Sequence, residues 1–253
     1  SAQDLDKTLG NVAHLIIEKV FDGKPIKEAC DYYKAEYETI FEESVNEKGL
    51  LLRLPEYAID LRRLKLKMEE ALDKLAETII NNGLTVYACE YEFKQAKWAE
   101  AGDGMTLSSR ADMLLGDGNG GKVIFDFKYS RSKSRKTEVE ENRALQLEVY
   151  RYMAKQEFGK NTPVRVAYIL LPDVTILTAD EFDDIDTITL KSERANSNVM
   201  SEAANSYRLR WEQLKVGKIE RVEGCGVGTG EYAEQTVKQN LFPLAEYKGI
   251  YSE

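Results

Sequence analysis

Cysteine is scarce in this chain, and its three copies are poorly placed for a shared task. Cys30, Cys89 and Cys225 are far apart, odd in number and without C-x-x-C spacing. That pattern excludes a disulfide framework and a zinc site, and it points to a reducing, cytoplasmic setting. Histidine is scarcer still, with His14 alone in 253 residues. No stretch approaches the roughly 20 apolar residues of a membrane span, and no signal segment opens the chain, so no membrane partner is expected. The first residue is Ser1 rather than Met, which fits a piece excised from something longer. Basic residues are outnumbered, 35 against 44 acidic, for a net charge of -9. A broadly basic surface that coats nucleic acid is thereby excluded, and any such contact has to be local. The hydrophobic content of 43% suffices for one large domain or two small ones, and one is expected.

What is present is organised around residues 110–128. Arg110 to Leu115 alternates apolar with polar residues, a Gly-Asp-Gly-Asn-Gly-Gly turn follows, and Lys122 to Lys128 alternates again. This is the signal for an antiparallel hairpin. Pairing Gly116 with Lys122 sets Asp112 opposite Asp126 and Arg110 opposite Lys128. Asp126 and Lys128 then point one way and Phe125 and Phe127 the other. Directly opposed residues have Cβ atoms about 4.5–5.5 Å apart. Two carboxylates and an ammonium therefore converge, and a divalent cation such as Mg2+ or Mn2+ would explain why repelling aspartates face each other. A solvated hairpin whose charges face water explains the same residues equally well.

Two phosphate-loop patterns in this stretch carry no such function. Gly116 to Lys122 spells G-x-x-x-x-G-K, and Gly116, Gly118 and Gly121 spell G-x-G-x-x-G. Val123 stands where Ser or Thr is needed, and a strand follows instead of a helix. ATP is not expected as a cofactor.

Before the hairpin, apolar spacing predicts helices over 4–21, 26–48 and 56–81, the first stopped by Gly23 and Pro25. His14 lies beside the apolar stripe of the first, where a lone histidine is usually a packing residue. From Leu84 the period becomes two, with Thr85, Tyr87, Cys89, Tyr91 and Phe93 on one face and Val86, Ala88, Glu90 and Glu92 on the other. A turn at 101–104 completes a three-stranded meander, from which Glu90 or Glu92 can reach the aspartates.

After Lys128 the run to Lys136 holds Arg131, Lys133, Arg135 and Lys136 with no acid among them, inside an otherwise acidic protein. Such a loop suits phosphate contacts. A helix over 138–158 is expected to carry Arg143, Gln146, Tyr150 and Met153 on one stripe, too polar for a core and suited to lining a site. Val164 to Leu171 reads as a buried strand parallel to the one bearing Asp126, since a helix connects them. Residues 199–216 suggest an amphipathic helix with Tyr207 and Trp211. The glycine-rich 224–230 reads as a loop, and 241–251 as a segment that docks back on the body.

The combination of Gly10-x-x-x-His14, Glu90-x-x-Phe93, Arg110-x-Asp112, Asp126-Phe127-Lys128 and Gln146-x-x-x-Tyr150 resembles a known family. It is similar to the RecB-type branch of the PD-(D/E)xK nuclease superfamily, which includes the nuclease domains of RecB and AddB and nucleases associated with CRISPR adaptation. The resemblance implies an α/β fold with a restriction-endonuclease-like core, a mixed β-sheet with an antiparallel meander flanked by helices, plus extra N- and C-terminal helices. It implies one nuclease domain over 1–253, with a core at 84–171, a helical part at 1–83 and an extension at 179–253.

By the same resemblance Asp112, Asp126, His14 and the Phe127 carbonyl bind Mg2+ or Mn2+, with Glu90 as an addition. Lys128 handles the attacking water, and Gln146 and Tyr150 support the site and contact DNA. Arg110 and Arg143 join the basic run as expected DNA contacts. The implied activity is exonuclease-like hydrolysis of DNA, single-stranded or at duplex ends, in repair or recombination. A helicase segment or subunit is the implied partner. The alternative is a catalytically inactive DNA-binding or scaffolding subunit that keeps the fold. Some relatives carry four cysteines for an iron-sulfur cluster, and with only Cys225 late in the chain no cluster is expected here.

Overall fold

The computed structural model of the chain describes residues 2–129 and 133–217, with the side chains of residues 2, 3 and 133 excluded. The expectations for Arg131, the Lys133 side chain, Cys225 and residues 224–230 and 241–251 lie outside the described residues.

The first layer is helical, as the 3.6-residue spacing requires: α1 (Ala2–Phe21), α2 (Ile26–Lys48) and α3 (Ala58–Asn81). Each buries one stripe, Val12, Ile16 and Val20 on α1, Ile40 and Phe41 on α2, Leu72 and Leu75 on α3. Then come β1 (Thr85–Glu92), the short hairpin β2 (Ala96–Lys97) and β3 (Thr106–Leu107), β4 (Arg110–Gly116) and β5 (Lys122–Tyr129). These are followed by α4 (Lys133–Glu140), α5 (Leu145–Phe158), β6 (Val164–Leu171), β7 (Thr175–Leu177) and α6 (Val199–Lys215).

The main sheet runs β1-β4-β5-β6-β7. β1, β4 and β5 form the antiparallel meander, β6 joins β5 in parallel, and β7 is antiparallel to β6. A mixed sheet flanked by helices is the restriction-endonuclease-like α/β architecture expected from the sequence. Helices α1 to α3 cover one face over Met113, Leu115, Phe125, Phe127 and Ile169. Helices α5 and α6 cover the other over Leu114, Ile124, Val166 and Tyr168. Among the described residues no helix is long and apolar enough to cross a membrane.

Three local expectations are corrected. The helix expected over 138–158 is two helices. Asn142 adopts φ +48 between them, and its Nδ2 donates to the carbonyls of Arg194 and Ser197, both at 3.0 Å. Arg143 therefore lies in the connection and not on the α5 stripe with Gln146 and Tyr150. The basic run, expected as a loop, is already helical from Lys133. β1 does not keep one pair of faces: its register shifts between Val86 and Ala88, and Glu90 has φ +50. Val86 and Cys89 pack toward α1–α3, whereas Tyr91 and Phe93 pack toward α5.

Gly49 sets how closely α1 approaches the end of α2. It is buried, and a Cβ there would lie 2.6 Å from Val12 Cγ2 and 3.3 Å from Val45 Cα. Gly49→Ala is expected to cost about 1–3 kcal/mol through overpacking and to lower Tm by roughly 2–12 °C in thermal denaturation. A Tm unchanged within about 1 °C would show that α1 moves freely there.

Candidate metal centre

The hairpin register is the expected one: Gly116 pairs with Lys122, and the ladder continues through Leu115–Val123 and Leu114–Ile124 to Met113–Phe125. It stops one step short of Asp112 and Asp126. There the Phe127 N–H donates to Asp112 Oδ2 at 2.6 Å, so a side chain takes a bond that a β4 carbonyl would have held. The expected face-to-face pairs Asp112–Asp126 and Arg110–Lys128 are accordingly absent from the ladder. The strands part at this point, and the site lies in the gap.

α1 supplies His14 from one layer. Gly10, one turn earlier, brings the helix close to β5, since a Cβ at Gly10 would touch Tyr129 Cβ at 3.4 Å. His14 Nε2 lies 2.9 Å from the Phe127 carbonyl oxygen, and Nδ1 lies 3.8 Å from Asp112 Oδ1. A carbonyl has no proton, so Nε2 donates in this contact. Burial holds the imidazole below its usual range, although Asp126, the Phe127 carbonyl and Glu90 pull the other way. β1 supplies Glu90, left facing Asp112 by the pairing of Cys89 with Met113 and Tyr91 with Ala111. His14, Glu90 and Asp112 each offer a ligand atom within 4.8 Å of the others.

α5 supplies support from the opposite layer. Tyr150 OH donates to Asp126 Oδ1 at 2.8 Å, and Gln146 Nε2 donates to Tyr150 OH at 2.8 Å. Tyr150 is 2% exposed, so it braces the site and has no surface for DNA. Burial, and then the charge of Asp126, push its phenol well above the usual range. Asp126 itself is 1% exposed. Its Oδ2 meets Lys128 Nζ at 2.7 Å as an ion pair but accepts no well-aligned hydrogen bond.

These residues fit a divalent cation. His14, Glu90 and Asp112 bring ligand atoms within 4.8 Å of one another, and the buried Asp126 Oδ2 has no hydrogen-bond partner apart from its ion pair with Lys128. The donor set is oxygen-rich, as hard cations prefer. Asp112 is pushed well above the usual carboxylate range, first by burial and then by Asp126, with Lys128 and the Phe127 N–H opposing. A buried carboxylate so raised gains from a cation.

The basic candidates are less uniform. Arg110 is exposed and pairs with Glu90, Arg135 pairs with Glu138 and stacks on Tyr168, and Lys136 sits 3.7 Å from Glu140. Arg110, Arg135 and Lys136 thus each already face an acid. Asp22 is a contributor that sequence reasoning missed. Its Oδ1 accepts the Cys89 N–H at 2.8 Å and anchors β1 beside Glu90. Asp22 follows the last residue of α1, and nothing in its local spacing marks it as a partner of β1.

A mixed sheet whose parted strands gather carboxylates, an imidazole and a lysine has the make-up of a metal-using hydrolytic site. A family model described as the PD-(D/E)XK nuclease superfamily matches residues 1–227. The chain belongs to that superfamily, whose members use divalent metals. No curated protein matches it.

Asp112→Asn tests the electrostatics. The fold favours the neutral Asp112 carboxyl, so the stability tied to this group is present at low pH and lost as pH rises through its raised value. Ionising the group opposes folding. Asn removes that charge and keeps an acceptor for the Phe127 N–H. Metal-free Asp112→Asn is expected to melt about 2–4 °C higher, the equivalent of about 1 kcal/mol, and Mn2+ should no longer raise Tm. A lower Tm would mean the charge is held favourably without metal.

Proposed function

We propose that the chain is an exonuclease-like, Mg2+- or Mn2+-dependent deoxyribonuclease. The observation that carries this reading is the convergence of His14, Glu90 and Asp112 beside the Asp126–Lys128 pair where β4 and β5 part. His14, Asp112, Asp126, the Phe127 carbonyl and Glu90 would hold the cation. When bound, it supplies Lewis-acid stabilisation of phosphate charge and eases loss of a proton from water.

The remaining work falls to side chains of the chain. Lys128 presents its ammonium beside Asp126, where it orients water and balances charge on the phosphate. Tyr150 fixes the Asp126 carboxylate, and Gln146 fixes Tyr150, so both are positioning residues. Arg110, Arg135 and Lys136 are proposed DNA contacts, with Arg131, Lys133 and Arg143 as the remaining ones. The order of the motifs, like that of the RecB-type branch, supports a role in DNA repair or recombination beside a helicase segment or subunit. We read the whole chain as one nuclease domain of the cytoplasm. The complete set of His14, Asp112, Asp126 and Lys128 favours this over an inactive scaffold.

Cleavage of end-labelled single- and double-stranded DNA with Mg2+, Mn2+ or EDTA tests the reading. Cleavage should need the cation and should fall by about a hundredfold or more in Asp126→Ala and Lys128→Ala. DNA binding without cleavage under any metal would instead establish the scaffold.

A further inference from the structure

Arg110 ties the outside of the site to its metal ligands. Its Nε lies 2.9 Å from Glu90 Oε2, while its side chain is 60% exposed and Glu90 is 29% exposed. Glu90 in turn faces His14 and Asp112. The same acid therefore serves a guanidinium on one side and a cation site on the other.

This is an unusual arrangement for a surface ion pair. The residue across the ladder from Arg110 is Glu92, an exposed acid, yet the ion pair runs past it to Glu90. Glu90 faces the site from a point where β1 takes φ +50, a conformation that non-glycine residues seldom adopt. The main chain of Arg110 is held independently of its side chain. Its carbonyl lies 3.2 Å from the Tyr150 hydroxyl, and its strand is paired with β1. The side chain can leave Glu90 without disturbing the sheet.

A guanidinium and a divalent cation compete for one carboxylate, since like charges a few ångströms apart repel. Once the guanidinium leaves Glu90, solvent and any phosphate at the site mouth are within its reach, and arginine's planar fork suits phosphate oxygens. We propose that Arg110 is a counter-ion latch: it neutralises Glu90 until a divalent cation takes that carboxylate, and then turns outward to grip a nucleic-acid phosphate. The latch rests on the metal-dependent reading above. It makes metal binding and DNA binding promote one another through a single side chain, and such coupling is reciprocal.

The test uses the whole chain. Mn2+ affinity is measured by calorimetry without DNA for wild type, Arg110→Ala and Lys97→Ala, the last removing an exposed cation on the neighbouring hairpin. Affinity for a fluorescein-labelled single-stranded oligonucleotide is measured by anisotropy with and without Ca2+. Arg110→Ala should bind Mn2+ about 5-fold or more tightly than wild type, with Lys97→Ala within about twofold of wild type. The gain in DNA affinity from Ca2+ should shrink by a similar factor in Arg110→Ala alone. If wild type binds Mn2+ and Arg110→Ala binds it no more tightly, or if Ca2+ strengthens DNA binding equally in both, the latch is wrong and the nuclease reading stands. If wild type binds no Mn2+, both fall. Circular dichroism confirms folding, and Arg110→Gln takes the place of the alanine variant if that does not fold.

Discussion

The site depends on one hydrogen bond, from the Phe127 N–H to Asp112 Oδ2. A buried main-chain donor has to be paired, and in a regular hairpin a carbonyl of β4 would accept it. Here a carboxylate accepts it instead, and the ladder ends at Met113–Phe125. The parted strands open a gap in the sheet that both helical layers can reach. His14 enters from α1 and meets the Phe127 carbonyl, and Tyr150 enters from α5 and meets Asp126. An unbroken hairpin would have kept those layers apart.

The gap is electrostatically expensive. Asp112, Asp126 and Glu90 are crowded beside a half-buried imidazole, and burial and then the charge of Asp126 oppose charge on the first of them. The fold tolerates this because every acid has a counterweight: the Phe127 N–H for Asp112, Lys128 and Tyr150 for Asp126, Arg110 for Glu90. Glu90 adds backbone strain, and residues held in sparse conformations concentrate at functional sites. The result is a set of side chains balanced around something that binds there rather than around stability.

Much of the scaffold could be read from local spacing. The first three helices, the Gly116–Lys122 register and the parallel placement of β6 all follow from periodicity and turn chemistry, which act within a few residues. The elements misread are those decided from a distance. The break between α4 and α5 exists because Asn142 is pinned by carbonyls some fifty residues later, at Arg194 and Ser197. The rollover of β1 at Glu90 has no signal in an alternating stretch. Asp22 carried no signal because the Cys89 N–H it accepts belongs to another element.

Local spacing placed His14, Asp112, Asp126, Lys128, Gln146 and Tyr150 on their helices and strands, and their motif order marked them as a site only through its resemblance to a nuclease family. How they meet came from packing between elements. It set Asp112 against a main-chain amide rather than against Asp126, gave Glu90 to the same cluster as His14, and buried Tyr150 behind the site. The reason is physical: spacing along a helix or strand fixes the face a side chain takes, whereas distances between elements depend on packing and on how every buried polar group finds a partner.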